Sequence, residues 1–338
     1  MTSERTTGLD LSEDFYLSTV APLVDGIPHA AALIGEGSEV LGLDDGTSED
    51  HDFGTRVMLF GADVDTEGRL SIATEQVHLE TIETWVVGDY FTSRLGFDLV
   101  DPPSLANWLS VPTQTFAELT GGRVFHDDDV LAGRRETLAW YPEDVWRLVL
   151  AAAWLRVAQH QPLRGRAVQR GDLLGAQVIA ARLARDAMRL VFLVEKRWAP
   201  YDKWLGTAVR ESGLGAGVYA GCEEALASSR GKQQARRLND VFRILGEETN
   251  ALKLAEPVPT EPVRFWDRDI KTIGGDRWTV ALTQAVRSPE IRFYLDGLET
   301  REGDNGIGPV PRLPGAIDQV SDSVDVLTNV GVRRRFFA

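Results

Sequence analysis

Cysteine is almost missing from this chain: Cys222 stands alone among 338 residues. One thiol forms no internal disulfide and supports no cysteine-rich zinc site, so Cys222 reads as a buried structural thiol. Long apolar runs are missing too. The longest, LVLAAAWL at 148–155, falls far short of the roughly 20 residues that cross a bilayer. The opening MTSERTTGLDLSEDFY is polar and acidic, without the apolar stretch of a secretion signal. A soluble, cytoplasmic protein with no membrane role is the expectation. Cationic excess is also lacking. Lys and Arg number 36 against 51 Asp and Glu, a formal net charge of −15. Such a surface repels phosphate backbones, and no basic stripe offsets it, so nucleic acid is not an expected partner. No internal repeat is present.

What the chain does have is enough apolar content, 43%, for two cored domains. The first part reads as α/β. Ser12 is a candidate N-cap, followed by helically spaced Phe15, Val20 and Leu23. HAAALIG reads as a short buried strand, DFGTRVMLF as the next, and LSIATEQVHLETIETWVV as one or two more. After Pro142 the pattern turns helical. YPEDVWRLVLAAAWLRVAQHQ opens with Pro at a first-turn position. GDLLGAQVIAARLARDAMRLVFLVEKRW and EEALASSRGKQQARRLNDVFRILGEETNALKL continue it. EPVPTEPV reads as a linker, DRWTVALTQAV as a short helix, and the tail as loop-rich. The predicted fold class is therefore α+β. An α/β domain spans 1–130, and a mainly helical domain with a loop-rich C-terminal segment spans 131–338.

The stretch IGEGSEVLGLDDGTSEDHDFGTRV carries the chemistry. Gly35, Gly37 and Ser38 follow the first predicted strand. A glycine-serine turn lets backbone N–H groups approach a phosphate, and the hydroxyl adds a donor. Eleven residues intervene between Ser38 and the run Asp50, His51, Asp52. In an extended chain, residues i and i+2 share a face. Two carboxylates so close repel unless a cation lies between them, and Mg²⁺, which takes oxygen ligands, is the natural choice.

This arrangement resembles the DNA polymerase β-like nucleotidyltransferase superfamily, whose motif is Gly-Ser, a spacer of this length and Asp-x-Asp. His51 departs from the apolar residue usual between the acids. GSEVLGLDDGTSEDHDFGTRV, YPEDVW, APYDKWLGTA and IDQVSDSVDVL look like a branch in which such a domain precedes a helical one. The two-domain layout is that of the aminoglycoside (kanamycin-type) nucleotidyltransferases. The resemblance implies a two-metal Mg²⁺ site on Asp50 and Asp52, and ATP or another nucleoside triphosphate as co-substrate. It further implies transfer of a nucleoside monophosphate, AMP most simply, to a hydroxyl-type acceptor. By analogy that acceptor is a small and cationic molecule. The superfamily also uses a third catalytic carboxylate; Glu83 is the choice here, with Glu80 and Asp89 as alternatives. Arg56 and Lys203 are candidates for the triphosphate. A regulatory nucleotide-binding protein on the same fold and a protein-AMPylating enzyme are the competing readings.

Other polar runs read more plainly. Asp44 and Asp45 precede Gly46 and suit a turn. The pairs His51-Asp52 and His126-Asp127 superficially resemble HD phosphohydrolases, but HDDD reads better as a loop leading into the acidic start of a helix. In DQVSDSVDVL, helical spacing would bring Asp318, Asp322 and Asp325 onto one solvated face.

Overall fold

The structure is a computed structural model that describes residues 7–44, 55–77, 81–228, 231–303 and 306–337. It is a mixed α and β protein with one four-stranded sheet. The chain divides into two compact units, residues 1–140 with 323–338, and residues 141–322. The division at 130/131 expected from sequence falls ten residues short of this one. The reason is local. The Asp127 carboxylate accepts from the N–H groups of Val130, Leu131 and Ala132, and Arg135 donates to the carbonyls of Leu119, Thr120 and Gly121. Residues 131–138 are thereby held to the first unit.

The first unit opens with α1 (Gly8–Phe15), which runs into a π-helical turn at Tyr16–Val20. Thr7, not Ser12, is the cap: its hydroxyl accepts from Asp10 N–H. Ser12 lies buried within α1, and its Oγ accepts from the backbone N–H of Arg56 at 3.2 Å. Then come β1 (Ala30–Leu33), β2 (Val57–Gly61), α2 (Val64–Thr74), β3 (Ile82–Val86) and α3 (Val87–Leu95). After them follow α4 (Leu105–Ser110), α5 (Thr113–Thr120), β4 (Arg123–Asp127) and α6 (Ala132–Thr137). The strand order is β3-β2-β1-β4. β1 is antiparallel to β2 and β4, and β2 is parallel to β3. β1 is buried along its whole length, as a central strand covered on both faces must be. One face places Ala31, Val57, Leu59 and Ile82 against Tyr16, Val20, Val24 and Leu70. The other carries Phe60 and Trp85, both packed on Tyr90.

Of the one or two strands expected in Leu70–Val87, the described residues form one, β3. Residues 70–74 end α2, which Asp63 caps through Thr66 N–H. Alternation would have buried Ile72 beside Leu70; in the helix Leu70 is buried and Ile72 faces solvent. An N-cap and helical burial prevail over a short alternating pattern.

The second unit contains α7 (Glu143–Gln169), α8 (Leu173–Glu195), α9 (Asp202–Val209), α10 (Gly213–Ala227) and α11 (Lys232–Ala251). Next come the hairpin β5 (Val263–Arg264) and β6 (Lys271–Thr272), and helices α12 (Asp276–Gln284) and α13 (Pro289–Asp296). The unit ends with the hairpin β7 (Thr300–Glu302) and β8 (Pro309–Pro311), and α14 (Ile317–Val320). The single helix expected over 223–254 is two, because Ser228 is extended at ψ 158°. The centre of the unit is Trp154 of α7, stacked 4.4 Å from Trp278 and edge-on to Phe242. Cys222 is buried, and burial pushes its thiol up to about 12. No described helix is long and apolar enough to cross a membrane.

The chain then returns to the first unit as α15 (Val324–Thr328) and α16 (Val330–Arg334). Ser321 is extended, so the acidic helix expected across Asp318–Leu327 is broken. Asp318 is buried in the second unit, while Asp325 lies on α15 of the first.

Candidate functional site

The glycine-serine turn leaves the inner strand β1 on a backbone that L side chains resist. Gly35 has φ +92° and Gly37 φ +142°, conformations that favour glycine. Space adds to the constraint. A Cβ on Gly35 would lie 2.6 Å from the Tyr90 hydroxyl, and one on Gly37 would lie 2.6 Å from the Glu39 carboxylate. The Gly35 N–H donates to Glu118 O at 2.9 Å. Ser38 does not open a regular helix; residues 38–42 form successive turns, closed by Leu43 N–H donating to Ser38 O at 2.8 Å. The Ser38 side chain is half-buried.

Arg56 is committed to this turn. Its Nη2 donates to the Glu36 carbonyl at 3.0 Å and to Glu39 Oε1 at 2.5 Å. Arg56 could as well pair with a local acid as contact phosphate, and here it pairs with Glu39 and fastens the approach of β2 to the turn. Asp50 and Asp52, six and four residues before Arg56, lie outside the described residues, as do Asp45, His51 and Glu80.

Glu83 sits in β3 directly opposite Met58 of the parallel strand β2. Its side chain is exposed, and Oε2 accepts from Trp85 Nε1 at 3.0 Å. A carboxylate oxygen in reach of solvent is the donor type that Mg²⁺ takes. Asp89 is exposed in the first turn of α3. Lys203 belongs to the second unit, on α9, where it is exposed and its ammonium lies 4.9 Å over the Trp204 ring. The structure thus brings Gly37, Ser38, Arg56 and Glu83 into one unit and places Lys203 in the other.

Behind the turn lies a group that the sequence did not announce. The Tyr90 hydroxyl is buried with no hydrogen-bond partner among the described residues. Burial first, then the carboxylates Glu118, Glu83 and Glu36, push it up to about 12 against the opposing Arg94. Arg94 donates to Glu36 Oε1 at 2.6 Å, with its guanidinium 5.6 Å from the Tyr90 ring centre. Glu118 accepts from Gln114 Nε2 at 2.7 Å, and burial holds its carboxyl above the ordinary range. Only the glycine-rich turn hinted at this group, since a positive φ over a packed core demands glycine. Glu118 and Tyr90 look in sequence like ordinary helical residues.

The second His-Asp pair also differs from expectation. His126 is in β4, not in a loop, and Asp127 is the residue that binds the N–H groups leading into α6. In the second unit, a cavity of about 570 Å³ opens among α7, α11 and the β5–β6 hairpin. Arg164, Arg236 and Lys271 line it together with Asp240, Glu261 and Asp269, so its walls carry both signs of charge.

Residues 108–205 match the family model described as a domain of unknown function, DUF4037. No curated protein and no solved structure matches the chain.

Proposed function

We propose that this protein is a Mg²⁺-dependent nucleotidyltransferase with a polymerase β-like N-terminal domain and a helical acceptor-binding domain. It moves a nucleoside monophosphate, most simply AMP from ATP, onto the hydroxyl of a small acceptor. The observation that carries this reading is the clasp of Arg56 on the Gly35–Glu39 turn. It ties Arg56, which follows Asp52 by four residues in sequence, to a turn whose glycines and serine suit phosphate binding. Parity supports it. Phe60 of β2 lies on the face that carries Trp85 and Tyr90, and Glu83 shares that face by alternation with Trp85.

Each group has a task set by its chemistry. The N–H groups of Gly37 and Ser38, with the Ser38 hydroxyl, hold phosphate oxygens. Asp50 and Asp52 would supply oxygens for Mg²⁺, which would neutralise the charge of the triphosphate. Glu83 takes the proton of the attacking acceptor hydroxyl. The new bond joins the acceptor oxygen to the α-phosphorus, the bond to the β-phosphate oxygen breaks, and pyrophosphate leaves in line. Arg56 holds the turn and β2 in place.

The test is pyrophosphate release from ATP and Mg²⁺ in the presence of pooled small hydroxyl compounds, cationic and neutral, and of a protein pool. We expect release with one pool and a loss of at least 100-fold in Asp50→Ala/Asp52→Ala. Release retained by that variant contradicts the assignment. Tight ATP binding without release from any pool would favour a regulatory nucleotide-binding protein.

A further inference from the structure

A second set of ligating side chains meets where β1 begins and β4 ends, independently of the nucleotide reading. His29 is buried just before β1. Its Nδ1–H donates to Ile27 O at 2.7 Å. That bond fixes the ring and leaves the Nε2 lone pair facing inward, where its neighbour is the Tyr16 hydroxyl at 3.0 Å. A backbone carbonyl on one ring nitrogen is how proteins orient an imidazole whose other nitrogen binds a metal.

His126 reaches the same point through an irregularity in the sheet. Ala31 pairs with His126 but Ala32 pairs with Val124, so Phe125 is the extra residue of a bulge. A bulge re-aims side chains that regular pleating would turn apart. Both Phe125 and His126 accordingly stack on Tyr16, at 5.9 and 6.4 Å between ring centres. The His126 and His29 rings are 4.6 Å apart. Asp128 completes the group. Its Oδ2 lies 3.1 Å from His126 Nε2 and accepts from the His29 backbone N–H at 3.1 Å. One ligand atom from each of His29, His126 and Asp128 lies within 4.8 Å of the others.

We propose that His29, His126 and Asp128 form a site for a borderline divalent transition ion, Zn²⁺ in preference to Mg²⁺. Two imidazole nitrogens and one carboxylate oxygen are a zinc donor set, whereas Mg²⁺ takes oxygen almost alone. Tetrahedral zinc with bonds of about 2.0–2.1 Å sets its ligand atoms ~3.3 Å apart. The half-exposed side chains of His126 and Asp128 have the freedom to close that gap, and they open the site to solvent. On binding, Nε2 of His29 exchanges its contact with Tyr16 for the ion. The ion ties the start of β1 to the end of β4.

Calorimetric titration of the full chain with Zn²⁺, in a buffer that does not chelate, tests the proposal. The nucleotide-site variant Asp50→Ala/Asp52→Ala serves as background, so that zinc held by those acids is not counted. We expect one equivalent of Zn²⁺ per chain in that background. Adding His126→Ala, or Asp128→Asn should the alanine variant misfold, weakens binding at least tenfold. Co²⁺ in place of Zn²⁺ should give the visible absorption of a tetrahedral nitrogen and oxygen site in the background protein alone. The absence of a stoichiometric Zn²⁺ site in the folded background protein, or a site unchanged by both added substitutions, overturns the proposal.

Discussion

A methyl group at position 35 would meet the Tyr90 hydroxyl at 2.6 Å, on a backbone whose φ is +92°. Both faults act together in Gly35→Ala. Strain at positive φ and overpacking each cost about 1–3 kcal/mol. We therefore expect a urea midpoint lowered by an amount equivalent to about 2–6 kcal/mol, with the slope unchanged, and loss of ATP binding. Wild-type stability in that variant would mean that the turn does not rest on Tyr90. Glu118, beneath the same turn, sets a pH dependence. Its folded pKa lies above the ordinary carboxylate value because of burial. Between the two values the folded state binds more protons than the unfolded chain, so its contribution to stability falls as pH rises through that window. Glu118→Gln keeps an oxygen acceptor for Gln114 and removes the charge. Thermal midpoints measured from pH 4 to 7 should show the variant gaining on the wild type as pH rises; a constant difference would contradict the assignment.

Elements were legible where one period dominates. Helices α7 and α8, the short α12 and the buried strand β1 follow from pattern and from Pro142. Three readings failed for physical reasons. Ser12 sits at a favourable N-cap spacing, but Thr7 takes the cap with Asp10, and the Ser12 hydroxyl serves Arg56 instead. Leu70–Thr74 alternates like a strand, but the Asp63 cap commits it to α2. The acidic run after Asp318 has helical spacing, but the chain extends at Ser321 as it passes between units. The glycine turn of the candidate site was legible because Gly35, Gly37 and Ser38 are residue types that turns select. The Tyr90 and Glu118 group and the His29 cluster were not, since both depend on partners far away in sequence. The α11–α12 contact gives a prediction at this scale. Gly246 lies inside α11, where alanine would gain about 1 kcal/mol of helix propensity. A Cβ there would come within 2.5 Å of the Trp278 ring, which is itself stacked on Trp154. Overpacking a fixed aromatic pair costs about 1–3 kcal/mol, so after the propensity gain Gly246→Ala should lower stability by up to about 2 kcal/mol. A rise in the urea midpoint would show that helix α11 can shift away.

At the scale of the whole molecule, the net charge of −15 opposes compactness by self-repulsion. Raising monovalent salt from about 0.01 to 0.15 M shortens the screening length from about 30 to 8 Å and should raise the thermal midpoint. A fall would mean that close ion pairs such as Arg123 with Asp10 and Glu13 outweigh the long-range repulsion. The same charge bears on the proposed function, in which a cation would offset the repulsion between a triphosphate and a net-acidic protein. Calorimetric titration with ATP, in Mg²⁺ and in EDTA, for the wild type and for Asp50→Ala/Asp52→Ala, therefore tests the central claim most directly. The account predicts saturable binding to the wild type in Mg²⁺ alone, lost in EDTA and in the double variant. Binding that ignores both Mg²⁺ and the two aspartates, or no binding of any nucleoside triphosphate, would contradict it.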